Sequence, residues 1–261
     1  MTPFSELLAG MAPAADGFEA FVPDDWRQGR TTYGGLSAAL CLEATARGLA
    51  DLPPLRSAQF AFVGPAAGRL HARPQALRRG KSSVFVGVDL IGDEGVATRA
   101  LLNYGAARPS AYAFTDLPAP RVPPVEDCQP FFKDGLAPGF AHHFEVRKAG
   151  GARIGSGATR PEFLLWMRHR DEAADGSITT LVALADTPPP PACALFTGWS
   201  PISTMTWSLD ILTDDPDPGP WRLLRSTAQT VADGYSSQDM TLWAADGRPL
   251  IAARQTVAIF G

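Results

Sequence analysis

The sequence predicts an α+β chain built as two copies of one unit, each a curved antiparallel sheet wrapped around a single central helix. Three observations lead there. Two hairpin-like segments repeat with the same internal order. Each half holds one helical stretch among long alternating ones. A proline-rich stretch lies between the halves.

The repeat pairs "GKSSVFVGVDLIGDEGVATRALLNYG", Gly80 to Gly105, with "GYSSQDMTLWAADGRPLIAARQTVAIFG", Gly234 to Gly261. Each opens Gly-x-Ser-Ser, runs on as an alternating strand, turns at an acidic residue and a glycine, and closes on a strand ending aromatic-Gly. The offset is 154 at the start and 156 at the end. A hairpin two residues longer in the second copy accounts for the change. On the offset of 156, Arg99 stands in the place of Gln255. An arginine cannot replace a neutral amide, so one active site per chain is expected, with the first half supplying walls.

The other elements follow in order. In "YGGLSAALCLEATARGLADL", Leu36, Ala39, Leu40, Glu43, Ala44 and Arg47 keep helical spacing, and Pro53-Pro54 closes the stretch. "LRSAQFAFVGPAAGRLHARPQALRRG" reads as strand, Gly-Pro turn, strand. Residues 106–136 hold six prolines and several aromatics, so they read as a linker lying along the domain surfaces. That divides the chain into domains at 1–105 and 137–261. In the second half, "PEFLLWMRHRD" is a strand and "SITTLVALADTPPPP" a short helix stopped by prolines. "STMTWSLDILTDD" is another strand, and "PWRLLRSTAQTVADGYSS" leads into the last hairpin.

Composition narrows the function classes. The net charge of −4 leaves no basic footprint for nucleic acid. No apolar run reaches the ~18 residues of a membrane span, and the N-terminus lacks the pattern of an export signal. Cys41, Cys128 and Cys193 are scattered and odd in number, which argues against a disulfide framework. They and the four histidines show no metal-ligand spacing, so no metal or cofactor is expected. A cytosolic protein is the expectation.

With these stretches in this order, the chain resembles the type II acyl-CoA thioesterases, in which two hotdog folds share one polypeptide. The resemblance is carried by "GRTTYGGLSAALCLEA" and by "FVGPAAGRLHARPQALRRGKS" with its Pro-x-x-Gly and Arg-x-Gly-Lys-Ser elements. The second half adds "LADTPPP", "STMTWSLDI" and "ADGRPLIAARQTVAIFG". It covers nearly the whole chain from about Phe18. It implies an acyl-CoA substrate, no cofactor, and further self-association of double-hotdog chains. It also implies a water held by an Asp, a Thr or Ser, and a Gln. Matched by motif, these are Asp186, Thr204 and Gln255.

The residue types suit the chemistry. A carboxylate can take a proton from an attacking water. A thiolate leaves with little acid assistance, because its pKa is near 8.5. Gln and Thr each donate and accept, so they can orient the water. The oxyanion would fall to backbone N–H groups at a helix N-terminus. Structural readings stand beside these. Asp186 could be a surface acid, and Gln255 could sit on an exposed strand. Thr206 or Ser208 could replace Thr204 after a register error. Arg78, Arg79, Lys81 and Ser82 of "LRRGKSS" could bind coenzyme A phosphates or form a solvated strand end. Gly34 and Gly35 could cradle a ligand, or let the central helix approach the sheet. Trp166, Trp199, Trp207 and Phe196 are candidate cleft walls. An enoyl-thioester hydratase would use an Asp–His pair, and no histidine follows Asp186. A non-catalytic acyl-CoA binder is a further reading.

Overall fold

The computed structural model describes residues 1–132, 137–174, 176–198, 200–216 and 219–260. Trp199 and Gly261 therefore lie outside the described residues, as do residues 133–136 of the linker. After a short helix, α1 (Phe4–Ala9), the first half runs β1 (Ala12–Ala14), β2 (Gly17–Val22), β3 (Arg27–Gln28) and β4 (Thr31–Thr32). Helix α2 (Gly34–Gly48) follows, then β5 (Leu55–Phe62), β6 (Gly68–Arg79), β7 (Ser83–Gly92) and β8 (Gly95–Gly105). The second half runs β9 (Gln129–Pro130), β10 (Phe144–Gly151) and β11 (Glu162–His169). Helix α3 (Ile178–Ala185) then precedes β12 (Ile202–Ile211), β13 (Arg222–Ala232), β14 (Tyr235–Ala244) and β15 (Pro249–Ile259).

Apart from the β3–β4 ribbon, the strands form one antiparallel sheet of thirteen, ordered β1-β2-β6-β7-β8-β5-β12-β15-β14-β13-β11-β10-β9. The order reads the same from either side of the β5–β12 seam, apart from the short β9 at one end. Two half-sheets thus share a seam and curl around their helices. The paired stretch of the seam, residues 57–61 against 206–210, centres on Gln59 opposite Ser208. The helices meet inside. Residues all around α2 are buried, which fits its Ala- and Leu-rich sequence. The Ser177 hydroxyl caps α3 by accepting from the Thr180 N–H at 3.2 Å, and four prolines after Thr187 stop it.

Three β-bulges recur at equivalent places and fix the correspondence of the halves. Each leaves one unpaired residue: Arg56 in β5 and Met205 in β12, Leu77 in β6 and Gln229 in β13, Ala97 in β8 and Leu250 in β15. Carried along the ladders, the bulges make Gln255 the counterpart of Leu102, not of Arg99. The expectation from the sequence repeat was off by three residues, an odd number. Side chains alternate between faces, so an odd slip moves a residue to the other side of the sheet. Arg99 indeed points outward, where it pairs with Asp89 at 2.6 Å, while Gln255 is 3% exposed. The repeat is real, but its Gly and Ser matches set the wrong register.

The proline-rich segment packs on the outer face of the second half-sheet. The indole N–H of Trp243 donates to Leu117 O at 2.8 Å, and that of Trp166 donates to Pro123 O at 3.0 Å. Trp166 is thus part of an outer cluster with Cys128, Leu223 and Trp243, and it lines no interior cleft.

Candidate active site

Gln255 sits on β15 directly opposite Trp207 of β12 and Gln238 of β14. Opposed residues share a face, so all three point inward, toward the helices. Trp207 is buried there, whereas Phe196 is half-buried in the loop after α3. The Gln255 Nε2 donates to Asp186 Oδ1 at 2.6 Å. Asp186 follows the last turn of α3, which places its carboxyl at the N-terminus of α2. There the Gly35 N–H favours its charged form. The negative end of α3's dipole is offset by the positive end of α2's. Two residues 69 positions apart in sequence are joined.

The glycines make the junction possible. A Cβ on Gly34 would lie 2.7 Å from Asp186 Oδ2 and 3.3 Å from the Phe62 ring. A Cβ on Gly35 would lie 2.6 Å from the Ala183 carbonyl oxygen. Gly35 therefore lets α2 approach α3, not the sheet as expected from sequence. Beside it, the Tyr33 hydroxyl donates to Ala183 O at 2.5 Å. Burial pushes that phenol well above its ordinary pKa, and the Asp186 charge adds to the effect.

Burial pushes the Asp186 carboxyl up to about 7, and the Gln255 hydrogen bond, with the Gly35 N–H beside it, limits the rise. The residue still keeps some exposure to solvent. A carboxylate in this state can both accept and release a proton near neutral pH.

The bulge at Met205 decides which hydroxyl of β12 faces Gln255. Thr204 pairs with Val257, two residues from Gln255 on the same face. Thr206 and Ser208 pair with Thr256 and Arg254 and are exposed on the outer face. Without the bulge, Thr204 would point outward as well. No hydrogen bond joins Thr204 to Asp186 or Gln255 among the described residues.

The basic cluster is elsewhere. Arg79 donates to Ala50 O at 2.9 Å and to Asp51 O at 3.3 Å, just past the C-terminus of α2. Arg78 and Lys81 are exposed beside it, and Ser82 is half-buried. The 15 residues of α2, about 22 Å of helix, separate this cluster from Gly34, Gly35 and Asp186.

Sequence reasoning missed Gln238. It is 1% exposed, and its Nε2 donates to Gln255 Oε1 at 2.7 Å. Its signal was available: it is a second glutamine on the same inward alternation, opposite Gln255 in a hairpin already recognised. Polar atoms without a protein partner gather around it. Gln238 Oε1, Ser226 Oγ, Ser236 Oγ and Trp207 Nε1 are all buried and unpaired among the described residues.

Comparison with known proteins identifies the family. The profile of the acyl-CoA thioesterase N-terminal domain matches residues 22–105, and that of the C-terminal domain matches residues 118–259. The chain belongs to the acyl-CoA thioesterase family. The curated proteins searched contain no match to it. Solved structures share the fold of this thioesterase-family chain. A hotdog protein of unknown function from Alicyclobacillus acidocaldarius is 22% identical, with a TM-score of 0.89 over 100% of this chain and 99% of its own. An acyl-CoA thioesterase II from Mycobacterium marinum is 16% identical, with a TM-score of 0.77 over 98% of each chain. A dehydratase domain from Pseudomonas fluorescens is 11% identical, with a TM-score of 0.51 over 96% of this chain and 97% of its own. The fold is a double hotdog, and no helix among the described residues is long and apolar enough to cross a membrane.

Proposed function

We propose that this member of the thioesterase family hydrolyses acyl-CoA to a carboxylic acid and coenzyme A, with Asp186 as general base. The observation that carries the reading is the 2.6 Å bond from Gln255 to a buried carboxyl at a helix N-terminus. In this reading a water lies between Asp186, Gln255 and Thr204. It attacks the acyl carbon as Asp186 takes its proton. The oxyanion meets the Gly34 N–H in the first turn of α2. Leu36 and Ser37, next along the turn, already give their N–H groups to Tyr33 O. The C–S bond then breaks, and the thiolate leaves without needing a strong acid.

The exposed Arg78 and Lys81 are the proposed contacts for the coenzyme phosphates. As such they would act on binding and not on chemistry. Changing both to alanine would raise KM several-fold and leave kcat alone.

Thiol release from a panel of acyl-CoAs tests the reading, with wild type beside Asp186→Ala. Loss of the base should lower kcat about 100-fold or more. A folded, fully active Asp186→Ala protein would end the assignment. Binding without thiol release would make the protein an acyl-CoA binder. Consumption of enoyl-CoA without thiol release would make it a hydratase.

A further inference from the structure

An amide side chain has a donor end and an acceptor end, and only one suits a carboxylate. An ionised Asp186 can only accept, so Gln255 must present its N–H end there. Nothing in Gln255 itself enforces that choice, since half a turn about its last bond exchanges oxygen and nitrogen. The choice is favoured from β14. Gln238 offers an N–H to Gln255 Oε1 at 2.7 Å, which leaves the Gln255 N–H end facing Asp186. The first half shows that the fold does not need an amide at this place. Val86 stands where Gln238 does, and Leu102 where Gln255 does, both buried.

We propose that Gln238 is a positioning residue for the hydrolysis: it holds the Gln255 amide with its N–H end toward Asp186 and so keeps the base ionised. This rests on the reading of Asp186 as the base. Gln238 touches neither the carboxylate nor the water and acts through Gln255 alone. The surroundings of Asp186 leave Gln255 as the main control on its charge. Gln255 donates to it from β15, and the Gly35 N–H of α2 favours its charge. Tyr33, just before α2, is the titratable neighbour, and its phenol stays protonated. Phe62 of β5 is apolar. Among the described residues no cation acts on the carboxyl.

Two substitutions separate positioning from packing. Gln238→Met keeps the length and removes the donor. Gln238→Glu keeps the shape but, ionised, draws the Gln255 N–H toward itself. The first readout is the titration of Asp186 by carboxyl-¹³C NMR in the full chain, with the signal identified by its absence in Asp186→Asn. The second is the pH dependence of kcat/KM for thiol release. In both variants the Asp186 midpoint should rise by about one unit or more, a tenfold change in the ionised fraction at low pH. The acid limb of the rate profile should move with it while KM holds. If one variant does not fold, the other carries the test. Midpoints and limbs that superimpose on wild type would overturn the proposal, as would a loss of rate that is uniform across pH. A wild type that releases no thiol would sink the hydrolase reading instead, and the NMR titration would still decide whether Gln238 controls Asp186.

Discussion

The two half-sheets differ most where they are most alike in position. Along the bulge-aligned ladders, Val84, Val86 and Leu102 line the inner face of the first half. Ser236, Gln238 and Gln255 line the same places in the second. Leu55 of β5 corresponds to Thr204 of β12. Counted from the N-caps, Tyr33 and Ser177, the ninth residue is Leu42 in the first half and Asp186 in the second. All the residues of the first set are buried and apolar, as a sheet covered by helices requires. The second set breaks that rule together and on one face. A buried polar group left unpaired costs about 1–3 kcal/mol. One fold carries both versions, so the polar set is not needed for folding. On the proposed function, it belongs to the half that holds the base.

The sharpest way to break the contrast is to make the second half like the first. Gln255→Leu should keep the fold and lower kcat by roughly 10²–10³-fold, the scale for loss of one well-placed donor. Thiol release with a matched melting curve measures it. Activity within a few-fold of wild type would mean that the inner-face difference is not functional. The reverse change, Leu102→Gln, should not create a second site, because Leu42 offers it no carboxylate. It buries an amide among valines and should destabilise the protein by about 1–3 kcal/mol, read from urea unfolding.

Smaller changes probe the junction itself. Gly34→Ala places a methyl where the Asp186 carboxyl lies, and the carboxyl is the end that can move. We expect about a tenfold or greater loss in kcat with little change in melting temperature. Asp186→Asn tests the charge. The folded-state pKa of Asp186, about 7, lies above its ordinary value. Its contribution to stability is therefore full below about pH 4 and is lost as pH rises through 7. The asparagine has no such loss. Asp186→Asn should melt close to wild type at pH 4 and several degrees above it at pH 8, a gain of a few kcal/mol at most. Equal melting at both values would mean that the carboxyl is not held against ionisation.

Much of this was legible in the sequence, and the failures have physical causes. The two halves, their helices and their hairpins follow from periodicity, because each element buries one face. Asp186 and Gln255 were named from short motifs. Their meeting across 69 residues was not readable, since it depends on how α3 ends against α2. The hydroxyl of β12 stayed open among Thr204, Thr206 and Ser208 because a bulge is silent in sequence. One unpaired residue, Met205, turns Thr204 alone of the three inward. The same silence misplaced Arg99. Gln238 was passed over because a glutamine in an alternating strand carries no motif of its own. The basic "LRRGKSS" stretch stayed open between phosphate contacts and a solvated strand end, because charge density is visible in sequence and its distance from Asp186 along α2 is not.

The smallest effect expected is also the cleanest control on the alignment. If Arg99 truly corresponded to Gln255, it would face the interior, and its loss would reshape the inner face of the first half. In the structure it stands on the outer face, paired with Asp89 at 2.6 Å and open to water. Its outward neighbour two residues on, Leu101, is partly exposed as well. Water and salt screen such a pair, so it adds little to stability. Arg99→Ala should therefore shift the melting temperature by no more than about 2 °C and leave kcat and KM unchanged. The residual shift should fade in high salt, because screening weakens the wild-type pair. A large loss of stability or activity would place Arg99 indoors. It would then undo the bulge-based register on which the comparison of the two halves rests.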